Sequence, residues 1–144
     1  MEIDPQEEVL YRLRLAEEHL QTAEKRYTIE DWAGVVQSSQ LAAENAAKAV
    51  ISHYHIPSWT HDPSGELEQI TSQLPPNTRD HAHRLAEIVR ELAPEHGRTS
   101  YGLPAQRITP AQLYSKDAAE QALQAAREAI NIVKHILTHL GYYT

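Results

Sequence analysis

An all-α fold, an up-and-down bundle of four to five helices, is what this sequence predicts, and three observations carry it. Phe is absent, Gly numbers 5 in 144 residues, and Ala, Leu, Glu and Gln abound, a composition that favours helix over sheet. Apolar residues return at steps of three and four along several stretches, the period of a helix with one buried face. Pro, Gly and short polar residues fall between those stretches, where helices start and stop. Nowhere does the pattern alternate with the period of a strand.

The first helix is predicted over Pro5 to Tyr27, because Pro5 follows Asp4 as a first-turn proline follows a cap and Val9, Leu10, Leu13, Ala16, Leu20, Ala23 and Tyr27 keep helical spacing. Only Thr28-Ile29 separates it from the next, so the two form an antiparallel hairpin. The second helix is the centre of the pattern. Thr28 with Asp31 three residues on makes a capping-box-like start, and the helix stops by Ile56, before Pro57. Val35, Ser39, Ala42, Ala43, Ala46, Ala47, Val50 and Tyr54 line one face, and side chains this small let neighbouring helices approach closely.

Asp62-Pro63 restarts the chain as cap and first residue of a short helix through about Gln73, with Leu67, Ile70 and Leu74 inward. Leu74-Pro75-Pro76-Asn77 breaks it. A fourth helix follows from Thr78 to Leu92, burying Ala82, Leu85, Ala86 and Val89. From Pro94 to Tyr114 no helical period is visible, and the interspersed Gly97, Gly102, Pro104 and Pro110 describe a long irregular loop. Ser115 then caps a last helix, Lys116 to Leu140, that Gly141 ends.

The length of 144 residues fits one domain, residues 1–144, with a core that needs no staple. Cys is absent, which excludes disulfides, thiolate metal sites and a cysteine nucleophile and suits a reducing compartment. No apolar run approaches the roughly 18 residues of a membrane span. Met1-Glu2-Ile3-Asp4-Pro5 also lacks the basic and apolar regions of a signal peptide. A soluble cytoplasmic protein without membrane contact is expected. The formal charge of -7, from 13 Lys and Arg against 20 Asp and Glu, excludes strong unspecific binding to nucleic acid and leaves room for a local basic site.

The Asp31-Trp32-Ala33-Gly34 start and the Ala42-Ala43-Glu44-Asn45-Ala46-Ala47-Lys48-Ala49 core of the second helix, the Thr60-His61-Asp62 loop, and the Asp117-Ala118-Ala119-Glu120-Gln121-Ala122-Leu123 segment stand in an order that resembles the HEPN domain family. These are helical bundles named for higher eukaryotes and prokaryotes and for nucleotide binding. The resemblance covers nearly the whole chain. It implies a homodimer that associates with nucleotide or RNA and works beside a small nucleotidyltransferase-like protein of the toxin-antitoxin type. Many members resemble metal-independent endoribonucleases. In those, an Arg followed after four to six residues by a His cuts RNA, the His in acid-base chemistry and the Arg offsetting charge on the phosphorane. Other members lack the pair and only bind. A further alternative for this chain is a non-catalytic helical scaffold whose small-residue faces only support self-association.

That spacing occurs at Arg12 to His19, Arg14 to His19 and Arg90 to His96, where chance alone gives roughly 1.7 occurrences in a chain of this composition. Arg12, Arg14 and His19 fall on the first helix and are expected to face solvent. Arg90 and His96 lie where the fourth helix ends, as the family's site would, and are the candidate catalytic pair. The alternative for them is a solvated helix end with a cation near its dipole. Arg98, Tyr101 and Arg107 are candidates for a nucleotide or RNA groove, since guanidinium and ring grip phosphate and stack on base. The alternative there is an ordinary polar loop.

No metal site and no cofactor are expected. Imidazoles two apart, as in His53 and His55 or His81 and His83, point to different faces of a helix, and Asp62 already serves as a helix cap beside His61. Glu44 and Lys48, four apart, read most simply as an ion pair on the helix surface. If buried, they require a partner in the bundle or at a dimer interface.

Overall fold

The computed structural model describes residues 4–144; residues 1–3, part of the stretch read above for a signal peptide, lie outside it. Seven helices make up the described chain: α1 (Pro5–Thr28), α2 (Trp32–Ser52), α3 (Ser64–Ile70), α4 (Arg79–Leu92), α5 (Glu95–Tyr101), α6 (Pro110–Leu113) and α7 (Lys116–His139). The long helices α1, α2, α4 and α7 form the bundle that the apolar spacing predicts. No helix of the described residues is long and apolar enough to cross a membrane.

The hairpin of α1 and α2 turns through Glu30, whose φ of 60° is left-handed. That turn moves the start of α2 beyond the predicted Thr28. The Thr28 hydroxyl donates to the Lys25 carbonyl, and Asp31 caps the helix by accepting from the Gly34 amide at 3.0 Å. A Cβ at Gly34 would press on the Asp31 carboxylate and the Arg26 side chain, so a larger residue there displaces the cap.

Helix α2 is the centre of the fold, packed by α1, α7, α4, α5 and α3. From Ser38 to Ser52 only Leu41 escapes burial. The predicted small face of Val35, Ala42, Ala43, Ala46, Ala47 and Val50 is completely buried, but the opposite face is covered as well. The core against it comes from Val9 and Leu13 of α1, Leu67 of α3, Leu85 and Ile88 of α4, and Val133, Ile136 and Leu137 of α7. Each buried aliphatic side chain of this size contributes on the order of 2 kcal/mol.

Ser115 caps α7 by accepting from the Ala118 amide. At the other end Gly141, with φ 97°, donates to the Thr138 carbonyl while Tyr142 donates to that of Leu137, a Schellman stop that needs a residue free of the Cβ penalty. Between α4 and α7 the predicted long loop is corrected. It holds α5, a 3-10 turn at Pro104–Gln106 and the single turn α6, which Thr109 and Gln112 close with a capping box. Apolar periodicity could not show these, because α5 buries only Thr99 and α6 buries no residue, so neither carries a stripe. Gly102, at φ 66°, lets the chain double back so that Leu103 and Ile108 pair backbone to backbone.

Candidate functional site

Four polar residues stand one helical turn apart on the buried α2: Gln40, Glu44, Lys48 and Ser52. On a helix covered on all sides, each must find partners inside the protein. Gln40 Nε2 donates to Glu44 Oε1 at 3.0 Å, and Lys48 Nζ donates to Glu44 Oε2 at 3.1 Å. The Ser52 hydroxyl turns back to the Lys48 carbonyl. Glu44 and Lys48 are therefore a buried ion pair, with side-chain exposures of 7% and 8%, and the expected surface pair is corrected.

Two imidazoles cover this row. His61 comes from the loop between α2 and α3, and His96 from the first turn of α5. His61 Nδ1 lies 3.1 Å from Glu44 Oε1, and His96 Nδ1 lies 3.1 Å from Gln40 Oε1. Because the Gln40 amide nitrogen is spent on Glu44, its oxygen is the acceptor facing His96, which assigns the Nδ1 proton to His96; the carboxylate assigns it likewise to His61. The two rings stack with centroids 3.5 Å apart and planes 17° from parallel. Both Nε2 atoms lack a protein partner among the described residues, so the pair offers two further hydrogen-bonding positions.

Around this cluster the charges alternate. Asp62 accepts from the Ser64 amide at the start of α3. Arg90 bonds Glu68 of α3 at 2.8 Å, and its guanidinium is held above its ordinary pKa by that hydrogen bond first, then by the charges of Glu68, Asp62 and Glu87. Glu95 accepts from the Tyr114 hydroxyl and from Arg98, 3.3 Å away. Burial, followed by the bond to Glu95, pushes the Tyr114 phenol upward.

The structure thus separates the sequence candidates. His96 enters the cluster. Arg90 is half exposed and bonds Glu68 rather than His96, although its neighbour in charge, Asp62, adjoins His61. Arg98 is tied to Glu95, Tyr101 is exposed, and Arg107 sits in the exposed turn with a left-handed φ of 59°. Of the α1 residues, Arg14 faces solvent as expected. Arg12 does not: half-buried, it donates to Asn45 Oδ1 of α2 at 3.2 Å. His19 is half-buried too, and burial lowers its pKa against the raising effect of Glu44.

Sequence spacing alone does not single out Gln40 and His61 as site residues. The signal for them is the run of polar side chains at four-residue intervals inside an otherwise Ala-rich helix, which demands polar cover. Three donor groups of this cluster, Glu44, His61 and His96, also lie within 4.8 Å of one another, a set able to hold a cation.

The described chain is an all-α bundle of four long helices with a polar row buried on its central helix and covered by two imidazoles. The chain matches the HEPN domain over residues 9–136 and belongs to that family. In structure it is similar to TT1696 from Thermus thermophilus, with a TM-score of 0.67 at 23% identity, the match covering 88% of this chain and 96% of that one. No curated protein matches.

Proposed function

We propose that this chain is a nucleotide- or RNA-associated HEPN module that acts as a homodimer in the cytoplasm, beside a nucleotidyltransferase-like partner of the toxin-antitoxin type. The observation that supports it is the capped polar row: two stacked imidazoles, anchored from below through Gln40 and Glu44, present unpartnered Nε2 atoms, and the half-exposed Arg90 feels the charge of Asp62, which follows His61 in the chain. Imidazole faces stack on bases and Nε2 bonds phosphate or ribose oxygens, while Arg90 offers a charge to phosphate. Arg98, Tyr101 and Arg107 extend this reading along α5 and the turn that follows.

The binding reading stands first because the surroundings are acidic. Glu68 and Glu95 occupy the guanidiniums of Arg90 and Arg98, so neither stands uncommitted for a transition state. A second reading, the metal-independent endoribonuclease, is favoured by the anchoring of His96, whose fixed Nδ1 proton leaves Nε2 as the acid-base atom. Arg90 would then contact phosphate after leaving Glu68.

Titration of mononucleotides and short single-stranded RNA into the protein in chelator, followed by calorimetry, tests the first reading. Binding that weakens in Arg90→Ala and His96→Ala supports it, and no heat at high protein concentration overturns it. RNA incubated with the same samples separates the readings, because cleavage lost in both variants establishes the enzyme. Sedimentation checks the homodimer.

A further inference from the structure

We infer that Glu44, His61 and His96 form a binding site for a divalent transition metal of the zinc class. Their donor atoms already lie within 4.8 Å of one another, and the two closest contacts to the row, His61 Nδ1 to Glu44 Oε1 and His96 Nδ1 to Gln40 Oε1, are each 3.1 Å. A tetrahedral ion with bonds of about 2.0 to 2.1 Å separates neighbouring ligands by about 3.3 Å; His61 and Glu44 already have that spacing, and His96 leaves Gln40 to complete the set. Two imidazoles and one carboxylate are the ligand set of an open zinc site, three protein ligands with a fourth position left for water or ligand.

The carboxylate and one of the rings are oriented by partners outside the donor set. Lys48 holds Glu44 Oε2 and leaves Oε1 toward the rings, and Gln40 fixes both Glu44 and His96. Buried on a helix, Glu44 cannot swing away, whereas His61, with 60% of its side chain exposed, opens the way in from solvent. Binding requires a change of tautomer: each Nδ1 gives up its proton as Nε2 takes one from solvent, so each imidazole stays neutral and offers its Nδ1 lone pair to the ion, Glu44 remaining a carboxylate. Nearly parallel rings do not aim two lone pairs at one point, so the exposed His61 ring turns out of the stack as the ion enters. The site shares His61 and His96 with the proposed nucleotide site and does not depend on it.

The competing location is the row of His81, His135 and His139, whose rings follow one another at 4.3 and 4.4 Å across α4 and α7. Chelator-stripped full-length protein, free of nucleotide, is titrated with Zn(II) by calorimetry and with Co(II) by visible absorption. One ion per chain is expected at micromolar affinity or tighter, with tetrahedral Co(II) bands. His61→Ala and His96→Ala each weaken binding on the order of tenfold or more, and His135→Ala leaves it unchanged. Should His96→Ala fail to fold, the exposed His61→Ala carries the test. No uptake, or uptake that ignores His61→Ala and disappears in His135→Ala, overturns the inference. Because no nucleotide is present, this result and the nucleotide titration in chelator fail independently.

Discussion

The imidazole of His61 lies flat on that of His96, 3.5 Å between centroids, and this contact ties the loop after α2 to the start of α5. Each ring is separately bonded to the buried row of α2, so the stack closes a circuit of His61, Glu44, Gln40 and His96. Removing the exposed member tests that circuit. His61→Ala keeps Glu44 paired through Gln40 and Lys48, so the fold survives with a loss of about 1 kcal/mol. Amide exchange in residues 95–99 should accelerate, because His96 loses one of its two anchors. Unchanged exchange there would show that α5 is held without the stack.

A second prediction concerns the buried pair. Lys48→Met leaves the Glu44 carboxylate without its cation at 7% exposure, and stranding a buried charge costs about 3–5 kcal/mol. Pairing it with Glu44→Gln should restore most of that loss. Urea denaturation of the single and double variants measures the difference, and equal stability of the two would contradict a buried pair.

Arg90 supplies a contrast. Its pairing with Glu68 is solvent-exposed on both sides, so Arg90→Ala should leave stability almost unchanged, since water and salt screen such a pair. Its effect belongs to binding: affinity for single-stranded RNA should fall roughly tenfold, the value of a charge-assisted contact. Glu68→Ala frees the guanidinium and should strengthen binding. Fluorescence anisotropy at one fixed salt concentration measures both, and a Glu68→Ala variant that binds more weakly would remove Arg90 from the site.

The turn after α5 rests on Gly102. Its φ of 66° is strained for any L side chain, and a Cβ would press on the Ile108 carbonyl that Leu103 uses for pairing. Gly102→Ala should cost about 2 kcal/mol or more, measured by thermal or urea unfolding. The loss should release Arg107 and Tyr101 from their present turn while leaving α7 intact by circular dichroism.

What the sequence made legible depends on how many residues share a signal. In α1, α4 and α7, several apolar positions repeat at helical spacing, so their extents are readable to within a residue or two. Helix α5 has the single buried residue Thr99, and no periodicity can emerge from one position. The candidate site was half legible for a similar reason. His96 stood out through its distance from Arg90, a one-dimensional feature, whereas Gln40, Glu44 and His61 meet it only through the packing of α2 against a loop and a short helix. Charge misled in one place: Glu44 and Lys48 at four-residue spacing look alike whether solvent or protein covers them, and the decision lay with the elements that fold over α2.

Acid should weaken this fold, and the sign follows from two histidines. Burial is the largest influence on His19 and on His53, and it lowers both below the ordinary 6.5. His53 also lies against Tyr54 and Tyr142, its Nδ1 2.8 Å from the Tyr142 hydroxyl. With folded values below the unfolded one, the unfolded chain takes up protons first as pH falls. Stability is therefore fully present above about pH 7 and is lost progressively as pH drops through about 6.5 toward the folded values. The melting temperature should decline between about pH 7.5 and 5.5 at constant ionic strength. His19→Gln and His53→Gln, which carry no titrating ring, should flatten that decline even where they lower the melting temperature itself. A wild-type profile that stays level or rises on acidification would contradict the lowering of both rings by their partial burial.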